Sequence, residues 1–217
     1  MIVRTAAAFA ALSINLLAQK AAMQTGGDQA LRVLREGNRR YAAALLTHPN
    51  QNVARRTEVA SGQHPIAAVL SCADSRVPPE LIFDRGLGDL FVVRVAGNIA
   101  DDAILGSLEY AAEHLHVPLI LVLGHQKCGA ISAAVQGGRT NTHIDSLIDA
   151  INPAVATVKG KPGDPIDNAV RANVLRVVDQ LKSDPSILAS EVKRGKLKIV
   201  GGVYSLDTGK MTLLDDR

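Results

Sequence analysis

Two apolar patterns alternate along the chain. The first consists of short, unbroken runs: 65–72 (PIAAVLSC), 89–98 (DLFVVRVAGN) and 118–125 (PLILVLGH). Their length and sharp ends predict strands, the first of them buried and the second running into a Gly-Asn turn. The second is the three-and-four spacing of amphipathic helices. It predicts a helix over 28–46, with Leu31, Val33, Leu34 and Tyr41 on its inner face and Asp28 as N-cap. A further helix is expected over 101–116, capped by Asp101 or Asp102 and closed by Pro118. Ser75–Glu80, with its two prolines, reads as a helix entrance. A short helix follows Cys128 and stops at Gly137–Gly138, and two more run over roughly 142–158 and 165–183. The end of the chain reads as a fourth strand, a turn at Asp207–Gly209 and a last strand. The stretch between 46 and 63 is polar and carries no periodicity.

Strand and helix in alternation specify the α/β class. The expected architecture is an open, mostly parallel four-stranded sheet with an added edge strand and helices on both faces. In such sheets chemistry gathers beyond the carboxyl ends of the strands. Composition sharpens this. With 217 residues, 47% of them hydrophobic, the chain can bury one full core, and with 3% aromatics and no Trp that core is aliphatic. The net charge is only +3, with basic residues scattered, so they read as a solvated surface and nucleic acid is not an expected partner. Residues 1–27 read as a leader or arm and 28–217 as the folded domain. The apolar stretch Ala6–Ala18 is too short to span a bilayer, so no integral membrane span is expected. It suits a signal-peptide core with cleavage before Gln19. Export to the periplasm or beyond is the preferred reading. A cytoplasmic protein with an Ala-rich amphipathic arm is the alternative.

Candidate chemistry concentrates at two strand ends. Cys72 closes the first run and is followed at once by Asp74 and Arg76; His125 and Cys128 close the third. These are the only two cysteines, which excludes a disulfide scaffold. Two thiolates and an imidazole form a good tetrahedral zinc set and a poor magnesium or calcium one. What fills the fourth position decides function, because water gives a catalyst and a fourth protein ligand gives a closed site. Asp74 competes for that position. Arg76 can hold the same carboxylate by a bidentate pair and keep it away. A Cys72–Cys128 disulfide is the competing reading, and it leaves Asp74, Arg76 and His125 without a role. The other five histidines (48, 64, 114, 116 and 143) show no ligand spacing. A nucleotide-binding module is a further rival, but neither G-x-G-x-x-G nor a Walker A sequence follows the first strand.

The segments SCADSRVPPELIFDRGLGDLFVVRVAGN and GHQKCGAISAA are similar to the β-class carbonic anhydrases, over about residues 30–214. The resemblance implies one Zn²⁺ per subunit, held by Cys72, His125 and Cys128. It implies an Asp74–Arg76 dyad, with Asp74 as a metal ligand only in a closed, inactive state. It implies reversible hydration of carbon dioxide to bicarbonate and a proton by a zinc-bound hydroxide. It also implies a homodimer or homotetramer with the site near the subunit interface. Backbone support for the nascent bicarbonate is expected near Gly129, where a helix begins. A bicarbonate regulatory pocket that requires a Trp is not expected here. The same scaffold acting on CS₂ or COS, and a zinc-stabilised protein with Asp74 permanently on the metal, stay open at this point.

Overall fold

A computed structural model describes residues 26–183 and 187–214. Nearly all of the expected leader, including the Ala6–Ala18 stretch, lies outside the described residues. Five strands form one sheet in the order β2-β1-β3-β4-β5. They are β1 (Ala67–Ser71), β2 (Leu90–Arg94), β3 (Leu119–His125), β4 (Lys198–Tyr204) and β5 (Met211–Leu214). All neighbours are parallel except β4 and β5. The four-stranded parallel sheet with an added edge strand is therefore present as expected.

β1 and β3 are buried along their whole length. Their side chains alternate between two cores. Ala67, Val69, Leu119, Leu121 and Leu123 face α1 (26–42) and α3 (Pro79–Ile82). Ala68, Leu70, Ile120 and Val122 face the opposite cluster. That cluster is built from α4 (Asp102–Glu113), α5 (Gly129–Gln136), α6 (Ile144–Val158), α7 (Pro165–Ser183) and α8 (Ile187–Lys193). Helix α7 lies close on the sheet because β3 and β4 carry glycines beneath it. A Cβ on Gly124 or Gly201 would stand within 2.7 Å of a Val174 methyl.

Local signals explain most boundaries. Asp101 accepts a hydrogen bond from the Ile104 N–H and caps α4, and Asp164 does the same for the Asp167 N–H at the start of α7. Gly137, at φ 72°, stops α5. Three expectations need correction. The first helix begins by 26, so Asp28 lies inside it and pairs with Lys198 instead of capping. It also stops at 42 rather than 46, because Ala44 takes a left-handed conformation at φ 56°. The polar stretch contains a helix, α2 (Val53–Glu58), which Asn52 caps and which buries no residue.

Asp84 ties these outer pieces to the sheet. It is buried, and it accepts hydrogen bonds from Arg40 Nε at 2.6 Å, Thr47 Oγ1 at 2.8 Å and the His48 N–H at 3.0 Å. Burial alone would raise its pKa. Arg40, the Thr47 hydroxyl and the two main-chain donors outweigh that and hold it below the ordinary carboxylate range. A depressed folded pKa means that the stabilisation is complete above the unfolded value of about 3.9 and is lost as pH falls through the folded value. Asp84→Asn keeps the left-handed backbone accessible but removes the charge. It should destabilise the protein by about 2–4 kcal/mol in urea unfolding at neutral pH. Its stability should also fall less steeply than wild type between about pH 5 and pH 3. Equal stability of the two proteins at neutral pH would contradict this role.

Candidate metal centre

β1 and β3 are neighbours in the sheet, and both end at the same edge. Cys72 directly follows β1, His125 is the last residue of β3, and Cys128 is the N-cap of α5. Their ligand atoms all lie within 4.8 Å of one another. The two sulfurs are 3.9 Å apart, and both cysteines are free. That is far beyond a disulfide's S–S length of about 2.05 Å, so the disulfide reading does not describe this structure. A tetrahedral zinc with Zn–S bonds of about 2.3 Å would set two sulfurs about 3.8 Å apart. The donor set and its spacing therefore fit zinc.

The imidazole carries the clearest sign of an intended partner. His125 Nδ1 lies 2.8 Å from the Gln126 carbonyl oxygen, which can only accept, so Nδ1 is the protonated nitrogen. Nε2 then presents its lone pair to the sulfurs. It is fully buried and finds no hydrogen-bond partner among the described residues. Its nearest acid is Asp74, with Oδ2 at 3.8 Å. Asp74 is bound elsewhere. Arg76 donates from Nε to Oδ1 at 2.9 Å and from Nη2 to Oδ2 at 2.7 Å, and the Arg76 N–H adds a third bond to Oδ1 at 2.9 Å. The Arg76 guanidinium holds the Asp74 carboxyl well below the usual carboxylate range, against a smaller opposing effect of burial. The hydrogen bond from Cys128 draws the Cys72 thiol down, and the same contact, with burial, pushes Cys128 up.

Comparison with known proteins supplies the family. The carbonic anhydrase family model matches residues 67–211. The chain is 41% identical over 190 residues to carbonic anhydrase 2 of Mycobacterium tuberculosis, covering 86% of this chain and 92% of that one. The chain belongs to the β-class carbonic anhydrases. Solved members of that class share its fold. The Coccomyxa β-carbonic anhydrase in complex with acetazolamide is 32% identical, with TM-score 0.66 over 73% of this chain and 75% of its own. A tetrameric β-carbonic anhydrase from Sordaria macrospora is 26% identical, with TM-score 0.69 over 74% and 86%. No helix among the described residues is long and apolar enough to cross a membrane.

Main-chain groups and one distant side chain also shape this carbonic anhydrase site. Gly97, in a short 3₁₀ turn after β2, donates its N–H to Cys72 Sγ at 3.3 Å. The buried Asn173, on α7, donates to the Gly97 carbonyl oxygen at 2.8 Å and holds that turn. The N–H groups of Ala130 and Ile131 turn to Cys128 Sγ. Gly129 opens α5, and a Cβ there would meet nothing within 4 Å. Gly97 stands at φ 73°, and a Cβ on it would come within 2.7 Å of Ile151 Cδ1. Gly97→Ala should therefore lower stability by about 1–2 kcal/mol through the left-handed backbone. It should also weaken metal retention roughly tenfold by displacing the amide on Cys72. Chelator competition and urea unfolding read the two effects. Unchanged metal retention would show that the amide on Cys72 is idle.

Proposed function

We propose that this carbonic anhydrase hydrates carbon dioxide reversibly to bicarbonate and a proton, with one Zn²⁺ per subunit held by Cys72, His125 and Cys128. One observation carries the reading: a buried imidazole nitrogen without a partner faces two sulfurs, while the nearest carboxylate is tied to an arginine. Two thiolates and one imidazole would hold zinc, and Asp74, tied to Arg76, would not join them. When bound, zinc supplies a Lewis acid that lowers the pKa of water from 15.7 to about 7, a magnitude that comes from carbonic anhydrases themselves.

The protein's own groups do the rest. Asp74 Oδ1 is occupied by two donors from Arg76, and Oδ2 by one, so a lone pair of Oδ2 remains on the side of His125 Nε2. That lone pair accepts the hydrogen bond of the attacking hydroxyl and turns the oxygen towards the substrate carbon. Arg76 keeps the carboxylate ionised, so Asp74 orients as an acceptor and does not take the proton away. The proton leaves through water to buffer. The start of α5 at Gly129, with space in front of it, supports the negative charge that develops on the nascent bicarbonate. The working unit is a homodimer or a pair of dimers, a reading supported by the tetrameric Sordaria relatives.

Metal analysis with stopped-flow CO₂ hydration tests the reading on the purified protein. Wild type should carry one zinc per chain and turn over CO₂. Cys72→Ser, His125→Ala and Cys128→Ser should each lose zinc, and turnover should fall by roughly 100-fold or more. Full metal content in any of the three would refute the ligand assignment. Arg76→Ala should keep zinc yet lose most turnover, by roughly 10–100-fold, because Asp74 is released towards the metal. An Arg76→Ala enzyme as active as wild type would remove Arg76 from the mechanism.

A further inference from the structure

The Asp74–Arg76 pair is internal to one turn. Its three hydrogen bonds join residue 74 to residue 76, and the Asp74 carbonyl oxygen also accepts from the Val77 N–H at 3.0 Å. Such bonds fix the carboxylate relative to its own turn. They do not fix the turn relative to the cluster that it serves. Regular pairing of β1 with β2 ends at Ser71 opposite Arg94. Beyond that point two main-chain bonds continue to the residue after β2: the Val95 N–H donates to the Ser71 carbonyl oxygen at 3.1 Å and the Ala73 N–H to the Val95 carbonyl oxygen at 3.3 Å, and neither reaches Asp74.

Arg94 supplies what is missing. Its Nε donates to the Cys72 carbonyl oxygen at 3.0 Å, and its Nη2 donates to the Asp74 carbonyl oxygen at 2.6 Å. Both bonds go to main-chain oxygens rather than to a carboxylate. One guanidinium thus grips the chain at the proposed metal ligand and again at the proposed dyad acid. Its planar fork can hold both carbonyls at once, which the single ammonium of a lysine cannot do in the same geometry.

We propose that Arg94 is a positioning residue for the hydration reaction: by clamping the main chain at both Cys72 and Asp74, it sets how far the Asp74 carboxylate can reach towards the Cys72–His125–Cys128 cluster. Arg76 aims the side chain and Arg94 anchors the backbone beneath it. The inference rests on the ligand and dyad assignments made under the proposed function. Loss of Arg94 leaves the three metal ligands in place but lets the whole turn, with its internal ion pair, drift relative to them.

The test uses the zinc-loaded full chain carrying Arg94→Gln or Arg94→Lys. Arg94→Gln should keep one zinc and lose kcat by roughly 10–100-fold, with a smaller change in KM. Its cobalt-substituted form should show a shifted visible absorption spectrum, because the carboxylate beside the metal has moved. Amide hydrogen exchange of the zinc-loaded variant should quicken across 73–77 and stay unchanged in β3. Arg94→Lys should recover part of the lost turnover, since one of the two carbonyl bonds can re-form. If Arg94→Gln does not fold, Arg94→Lys is read by the same measures, with a fall in kcat of roughly 3–10-fold expected. Wild-type kcat, an unshifted cobalt spectrum or unaltered exchange across 73–77 in the folded variant would overturn the proposal. Failure of the underlying ligand assignment looks different: Cys72→Ser would then keep its metal, whatever Arg94 does.

Discussion

A carboxylate stands 3.8 Å from the imidazole nitrogen of a thiol-rich cluster, and a two-pronged pair with Arg76 holds it there. Asp74 is the acid nearest to His125 Nε2, so a bound cation would attract it strongly. Two parallel charge-assisted bonds to one guanidinium, with a third from the Arg76 N–H, oppose that attraction. The guanidinium is half-exposed and the carboxylate mostly shielded, so the pair costs little desolvation on the arginine side while the acid stays ionised. In the proposed mechanism the same pair keeps one coordination position free and supplies the acceptor that orients the attacking oxygen.

The rest of the fold serves that local balance. Adjacent parallel strands bring the chain out at one sheet edge twice, which is how Cys72 and His125 come from positions 53 residues apart in sequence. Rigid neighbours then fix the donors. Gly97 directs an amide to Cys72, Asn173 holds Gly97 from α7, and the Gln126 carbonyl sets the His125 tautomer. Helix α7 can act on the site because Gly124 and Gly201 let it lie close on the sheet. A buried apolar sheet thus becomes a mounting for polar groups whose free positions differ by a few ångströms.

Much of this was legible in the sequence, for physical reasons that also explain the gaps. The β1 and β3 runs are buried on both faces, so nothing breaks their apolar patterns and their ends stand out. Cys72, Asp74 and Arg76 share one turn, and His125 and Cys128 another, so short-range spacing reveals them. Arg94 and Asn173 act on residues 20 or more positions away and look like ordinary polar positions on a strand and a helix. No local pattern marks them. Helix α2 escapes notice because it buries no side chain, so it has no apolar stripe, and α8 because seven residues show too little period. Asp28 is a good capping residue by type, but its carboxylate pairs with Lys198, 170 residues away.

The central claim is that Asp74 stays with its arginine while Cys72, His125 and Cys128 hold the metal. A crystal structure of the zinc-loaded protein at neutral pH, with the metal located by anomalous scattering, tests it most directly. The account predicts zinc on the two sulfurs and the imidazole, a non-protein oxygen in the fourth position, and the Asp74–Arg76 fork intact. An Asp74 oxygen bonded to zinc with Arg76 turned away, or zinc bound elsewhere, would contradict it.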